Sequence, residues 1–191
     1  MKFNIQCLGM ASKSFRIALT AVFGALVVIF DYSFKILQLK IPFPWFPTLK
    51  FDFTGVPIVL SYLFCDISCG GNVSLVAFLA IYMRSGDAVG AMTKSLAEFL
   101  TIFGMFLGAR FKKLRRSIQY LLGAFLRCTI MALVNLIVLP VYPGIPVNLV
   151  FQLIPLTMAF NFIQASISIL VAFFIFDKVK IFFKPGKAWF Q

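Results

Sequence analysis

The sequence predicts an all-α integral membrane protein, a bundle of six transmembrane helices with both termini cytoplasmic. Three observations carry that expectation. Of 191 residues, 61% are hydrophobic and 13% charged, whereas soluble domains are about half apolar and about a quarter charged. The mean hydropathy is +0.98. The apolar residues stand in long unbroken runs, unlike the alternating pattern of a membrane barrel. At roughly 20 residues per span, the chain 1–191 is a single membrane domain.

The net charge of +12 points to membrane topology and not to nucleic acid, because Lys and Arg cluster in short blocks at the ends of apolar runs. There is no histidine, which removes the commonest metal ligand and general base. The four cysteines, Cys7, Cys65, Cys69 and Cys128, form no CxxC and read as small apolar fillers, neither a metal site nor a redox pair. No Walker A, GxSxG, HExxH or paired-carboxylate motif is present. The expectation is therefore no enzyme, no catalytic residues, no metal and no cofactor. The two halves show no obvious internal repeat of the kind many secondary transporters carry.

The first apolar run, Ile17 to Phe30, is preceded by Lys13 and Arg16 and continues to about Leu37. It lacks a small-residue cleavage site and reads as a retained span over about 17–37. The segment Ile41–Pro57 follows, with Pro42, Pro44, Pro47 and Pro57, Trp45 and several phenylalanines around Lys50 and Asp52. Proline fixes φ and disfavours helix at the residue before it, so about 38–54 is expected to be a rigid, extended lid outside the membrane. Apolar residues then run to Met83, broken by Asp66 and the turn-like Cys69–Asn72. Two short spans, about 54–67 and 72–84, are expected to turn at the Gly70–Gly71 pair. Gly86 and Asp87 form a polar turn into a fourth span, about 88–109. Arg110–Arg116 holds five basic residues in seven. A fifth span covers about 118–139, an uncharged proline-bearing loop 140–155 follows, and a sixth span covers about 156–176. Placing the amino terminus, Arg110–Arg116 and the lysine-rich tail inside requires an even number of crossings. The lid and the 140–155 loop then face outward.

Polar side chains inside a membrane are costly and usually face a cavity or a partner. Lys94 and Glu98 share one face of span four at i, i+4. Asn135 lies on span five, and Asn161 and Gln164 share a face of span six. With Lys50 and Asp52 they form a candidate pocket opening outward, and Phe43, Trp45, Phe46, Phe51 and Phe53 offer aromatic walls. The plainer alternative has Lys94 snorkelling to pair with Glu98 while the amides join helices. Ala18, Ala21, Gly24 and Ala25 form a strip of small residues on span one that permits close helix approach, and Gly104 and Gly108 form a GxxxG on span four.

The stretches LKFDFTGVPIVL (Leu49–Leu60), Gly86–Asp87, LVNLIVLPVY (Leu133–Tyr142) and AFNFIQA (Ala159–Ala165), taken with the alanine strip and the proline-aromatic loop, resemble the substrate-binding S components of energy-coupling factor (ECF) vitamin transporters. The riboflavin-specific branch is the most similar. The resemblance implies a multi-pass subunit of the cell membrane that binds a vitamin from outside, under its first loop, with spans four to six. It implies partners: a membrane scaffold subunit, contacted through Ala18, Ala21 and Ala25, and two ATP-binding subunits. It implies substrate contacts at Trp45, Phe46, Leu49, Lys50, Phe51, Asp52, Lys94, Glu98, Asn135, Asn161 and Gln164, with riboflavin as transported ligand. Lys50 and Asp52 match the first-loop KxDF element. Lys94 stands where that branch often has asparagine, and Gln164 replaces an acid. Those departures bear on the ligand and leave biotin-like or other small vitamins open. Two further readings stand beside this one: a membrane enzyme with Lys94 and Glu98 as acid–base pair, and an assembly subunit without ligand.

Overall fold

A computed structural model of the chain describes residues 13–111, 115–141 and 147–182. Cys7, Lys112 and Lys113 of the basic block, residues 142–146 of the expected loop, and the tail lysines Lys184 and Lys187 lie outside them. The described residues form α1 (Lys13–Ile36), a hairpin of β1 (Ile41–Phe43) and β2 (Phe46–Phe51), then α2 (Gly55–Phe64), α3 (Ile67–Ser85), α4 (Ala88–Gly108), α5 (Arg115–Val138) and α6 (Val147–Phe182). A short 3-10 turn, Leu139–Val141, extends α5. Five of these helices are long and apolar enough to cross a membrane, and α2 is the shorter sixth.

Neighbours around the bundle run α1, α3, α4, α5, α6, α2 and back to α1, with α2 also against α3 and α4. The ten-residue α2 is accordingly the most enclosed helix, buried from Gly55 to Tyr62. Its Val56, Ile58 and Val59 meet Phe23 and Val27 of α1, Val73 of α3, Ile102 and Met105 of α4 and Ile169 of α6 in one core. The GxxxG of span four has a definite role. A methyl on Gly104 would overlap the Leu122 carbonyl, and one on Gly108 would overlap the Gln119 backbone. The two glycines therefore set the close crossing of α4 and α5.

Two expected boundaries move, and the lid gains an internal pairing. The break between the second and third helices lies at Cys65–Asp66 and not at the glycine pair, because Asp66 accepts the Cys69 amide at 2.9 Å and caps α3. Gly70 is helical there and takes the Ile102 and Tyr62 side chains against its bare backbone. The sixth helix starts at Val147 and holds Pro155 inside it, where sequence reasoning took the proline as a stop; membrane helices tolerate such prolines when neighbours satisfy the freed carbonyl. The segment 38–54 is a hydrogen-bonded antiparallel hairpin, pairing Ile41 with Phe51, Pro42 with Lys50 and Phe43 with Phe46. The turn into α4 is as expected: Gly86, at φ +70°, ends α3, and Asp87 caps α4 by accepting the Gly90 amide at 2.9 Å.

The cysteines are not all fillers. Cys65 and Cys69 are joined as a disulfide across the corner between α2 and α3, while Cys128 is a buried free thiol. Cys65 closes α2 and Cys69 lies in the first turn of α3, a CxxxC spacing that a search for CxxC passes over.

Candidate functional site: a charged cavity beneath the hairpin

The hairpin folds down onto the bundle because one of its strands ends in groups that the helices hold. Asp52, at the end of β2, is 3% exposed. Its Oδ1 accepts from the Thr54 amide at 3.2 Å and the Thr54 hydroxyl at 2.7 Å. Its Oδ2 pairs with Lys94 of α4 and lies 3.6 Å from the Lys40 ammonium. From α6, Gln164 donates to the Asp52 carbonyl at 2.7 Å, and its Oε1 lies 3.4 Å from the Asp52 amide. Burial by itself would raise the Asp52 carboxyl, but the charges of Lys94 and Lys40, with hydrogen bonds from Lys94 and Thr54, hold it down at about 2.

A second carboxylate extends the network. Asp31 of α1 is fully buried and accepts from Lys40 at 2.6 Å and from Arg84 Nε at 2.5 Å. Lys40 therefore bridges the two aspartates, giving a chain Arg84–Asp31–Lys40–Asp52–Lys94 that ties α1, α3, α4 and the hairpin together. Above it lies a cavity of about 670 Å³. The hairpin, the end of α1, the end of α3 and the start of α4 enclose it. Of the contacts expected from sequence, Lys50, Asp52 and Lys94 line this space.

The other expected residues are distributed differently. Phe51 stacks on Phe160 of α6 at 4.8 Å between centroids, and Phe43, 1% exposed, meets Trp45, Phe51 and Phe160 edge-on. This aromatic layer seats the hairpin on α6. Trp45 itself is exposed. Phe46 and Leu49 are half-buried on β2, and Asn135 is half-buried on α5. Phe53 packs on Phe34 of α1.

Glu98 and Asn161 belong to a separate buried knot. Arg127 of α5, which the sequence reading passed over, has its Nη1 2.9 Å from Glu98 Oε1. It donates from Nε to Asn161 Oδ1 at 3.1 Å and from Nη1 to the Thr101 hydroxyl at 3.2 Å. The Glu98 carboxylate packs against Gly55, where a methyl would overlap both Glu98 Oε2 and the Ser168 hydroxyl. Lys94 and Glu98 are thus not each other's partners: Lys94 is matched by Asp52 of the hairpin and Glu98 by Arg127 of α5. The signal for Arg127 was present in the sequence as a lone cation inside an apolar run facing an unmatched acid one span away.

On the outer surface of α1, Ala18, Ala21 and Ala25 are exposed. Ala21, Gly24 and Ala25 line a shallow groove of about 610 Å³ between α1 and α3, and Gly24 turns inward onto Val76. The groove reaches Arg16, which pairs with Asp66. Cys65, Asp66 and Cys69 hold their ligand atoms within 4.8 Å of one another, but the bonded sulfurs offer no thiolate to a metal.

No protein-family model and no curated protein sequence matches the chain. Among solved structures, one described as "Structure and mechanism of the S component of a bacterial ECF transporter" aligns with a TM-score of 0.76 at 22% identity, over 91% of this chain and all of that one. The chain has the fold of an ECF-transporter S component. That protein is described as a transporter component.

Proposed function

We propose that the chain is the substrate-binding subunit of an ECF-type, ATP-driven vitamin importer of the cell membrane. The observation that carries the proposal is the fold match, which covers nearly the whole of both chains. In this reading all six helices cross the bilayer, with both termini cytoplasmic. The contacts support that count: α2 begins beside Glu98, already within the bundle, and ends at Phe64, two residues before Asp66, which meets Arg16 in the first turn of α1. A helix of about 15 Å suffices because the hairpin dips inward to meet it. The exposed Ala18, Ala21 and Ala25 surface is the docking face for a scaffold subunit carrying two ATP-binding subunits.

Riboflavin is the first ligand to test. The KxDF element supports it; the packed rings of Phe43, Phe51 and Phe160 between the hairpin and α6 would supply the apolar walls a planar ring needs only if the hairpin lifts. Asn161, Gln164 and Lys94 are engaged by Arg127, the Asp52 backbone and the Asp52 carboxylate, so a flavin would draw its polar contacts from Asn135 and Lys50 unless those bonds are exchanged. The test is copurification of the tagged chain with an ECF scaffold and ATPase pair, together with quenching of riboflavin fluorescence by the purified chain. Capture of the module with quenching supports both statements. Capture without quenching retains the transporter subunit and removes riboflavin. Absence of capture with both added and native scaffolds refutes the proposal.

A further inference from the structure

The cavity beneath the hairpin has an uneven charge balance. Five cations reach it, Lys35, Lys40, Lys50, Arg84 and Lys94. Three carboxylates oppose them: Asp52 and Asp87 in the lining, and Asp31 behind it through Lys40 and Arg84. The excess is two positive charges: the three cations on the two buried aspartates outnumber them by one, and Lys35 and Lys50 outnumber Asp87 by one. Lys40, Arg84 and Lys94 are committed to the two buried aspartates. Lys35 of α1 and Lys50 of β2, both exposed, reach the mouth of the cavity and make no ion pair among the described residues.

The surroundings sharpen the effect. Burial and the neighbouring charge of Lys94 push the Lys40 ammonium below its ordinary value, against the pull of Asp52 and Asp31. The first turn of α4, at Gly90 and Ala91, also borders the space, but its partial positive charge is already met by the Asp87 cap. Walls set in a bilayer have low polarisability and focus such a field into the opening. A solvated lysine fringe would be scattered over a convex surface; here the cations converge on a concave space of about 670 Å³, a size suited to a vitamin-sized molecule.

We propose that this cavity is an anion-binding subsite, so that the ligand carries a carboxylate or phosphate that docks between Lys35 and Lys50. The inference rests on the transporter reading for its biological ligand, and it narrows that ligand from vitamins in general to anionic ones. A neutral flavin would leave the two excess charges unmatched; a flavin bearing a phosphate would match them. The same chemistry has a second source, the phosphate of an anionic lipid headgroup at the membrane surface.

The test uses the full chain, purified in a non-ionic detergent without lipid. Melting temperature is followed against inorganic phosphate and against chloride at equal ionic strength, then against riboflavin and flavin mononucleotide, which share a ring system and differ by a phosphate. Phosphate is expected to stabilise the chain beyond chloride. The double variant Lys35→Gln/Lys50→Gln is expected to raise the phosphate concentration giving half the effect by about tenfold or more, while Lys178→Gln, at the far end of α6, leaves it unchanged. Equal responses to phosphate and chloride in the wild type, or an undiminished response in the double variant, overturn the subsite. Stabilisation by riboflavin without any response to phosphate or flavin mononucleotide overturns it too, and leaves the transporter reading intact. A phosphate response without scaffold capture has the opposite meaning. Repeating the titration in nanodiscs separates the sources: loss of the phosphate response in phosphatidylglycerol but not phosphatidylcholine assigns the subsite to lipid, and its persistence in both assigns it to a soluble ligand.

Discussion

Asp52 is the residue on which the hairpin's position turns, and replacing it by asparagine isolates its charge. In Asp52→Asn the side-chain amide retains an oxygen to accept from Thr54, so the local turn survives; what is lost is the negative charge between Lys94 and Lys40. The folded-state pKa lies below the ordinary value, at about 2 against 3.8. The carboxylate's contribution is therefore fully present above about pH 4 and is lost as pH falls toward 2. The gap corresponds to about 2 kcal/mol. Removing one partner of a buried pair also leaves the opposing charges facing each other, which costs about 3–5 kcal/mol in fully buried cases. Lys94 is 26% and Lys40 12% exposed, so water relieves part of that, and about 2–4 kcal/mol is expected. For a chain of this length that is a fall in melting temperature of about 5–15 °C, read by circular dichroism in detergent. The acid arm is the sharper measurement: wild type loses this increment between about pH 4 and pH 2, and Asp52→Asn has none to lose. A variant that melts within about 2 °C of wild type, with the same acid slope, refutes the ion-pair account of the hairpin.

Gln164→Ala leaves the buried amide and carbonyl of Asp52 without their α6 partner, at about 1–3 kcal/mol; amide hydrogen exchange should rise in the hairpin while α4 and α5 keep their protection. Arg127→Met alone strands the Glu98 carboxylate and should cost about 3–5 kcal/mol, whereas Glu98→Leu/Arg127→Met should melt above the Arg127 single variant, because replacing a whole buried pair by apolar groups is often neutral. Gly104→Ala should cost about 1–3 kcal/mol by pushing α4 off the Leu122 carbonyl, while Gly71→Ala, whose methyl would meet Phe99 at an ordinary 3.5 Å, should be neutral or stabilising in the same melt.

Hydropathy made the helices legible because each must cover its backbone with apolar side chains to lie in a bilayer. The Gly86–Asp87 turn was legible because a left-handed cap and a carboxylate cap are both local. What escaped depended on tertiary neighbours. Gly70–Gly71 reads as a turn in isolation, but Ile102 and Tyr62 need the space at Gly70. Pro155 reads as a stop until α6 is seen to continue through it. Lys50, Asp52 and Lys94 stand in the sequence as a group, but nothing local joins them to Asp31, Lys40 and Arg84; Arg84 and Asp31 lie 53 residues apart in the chain. Arg127 was lost inside its apolar run, although an acid on the adjacent span required a cation.

Residue 52 is held by α4 through Lys94, by α6 through Gln164 and by the approach to the hairpin through Lys40. The consequence is kinetic. The hairpin cannot peel away one strand at a time, since its first movement breaks ties to separate helices together. For anything that must pass beneath it, association becomes a two-step process, with a hairpin-opening rate that sets a ceiling. The observed binding rate should then level off as ligand concentration rises, and loosening any one of the three ties should raise that plateau before it alters the final occupancy.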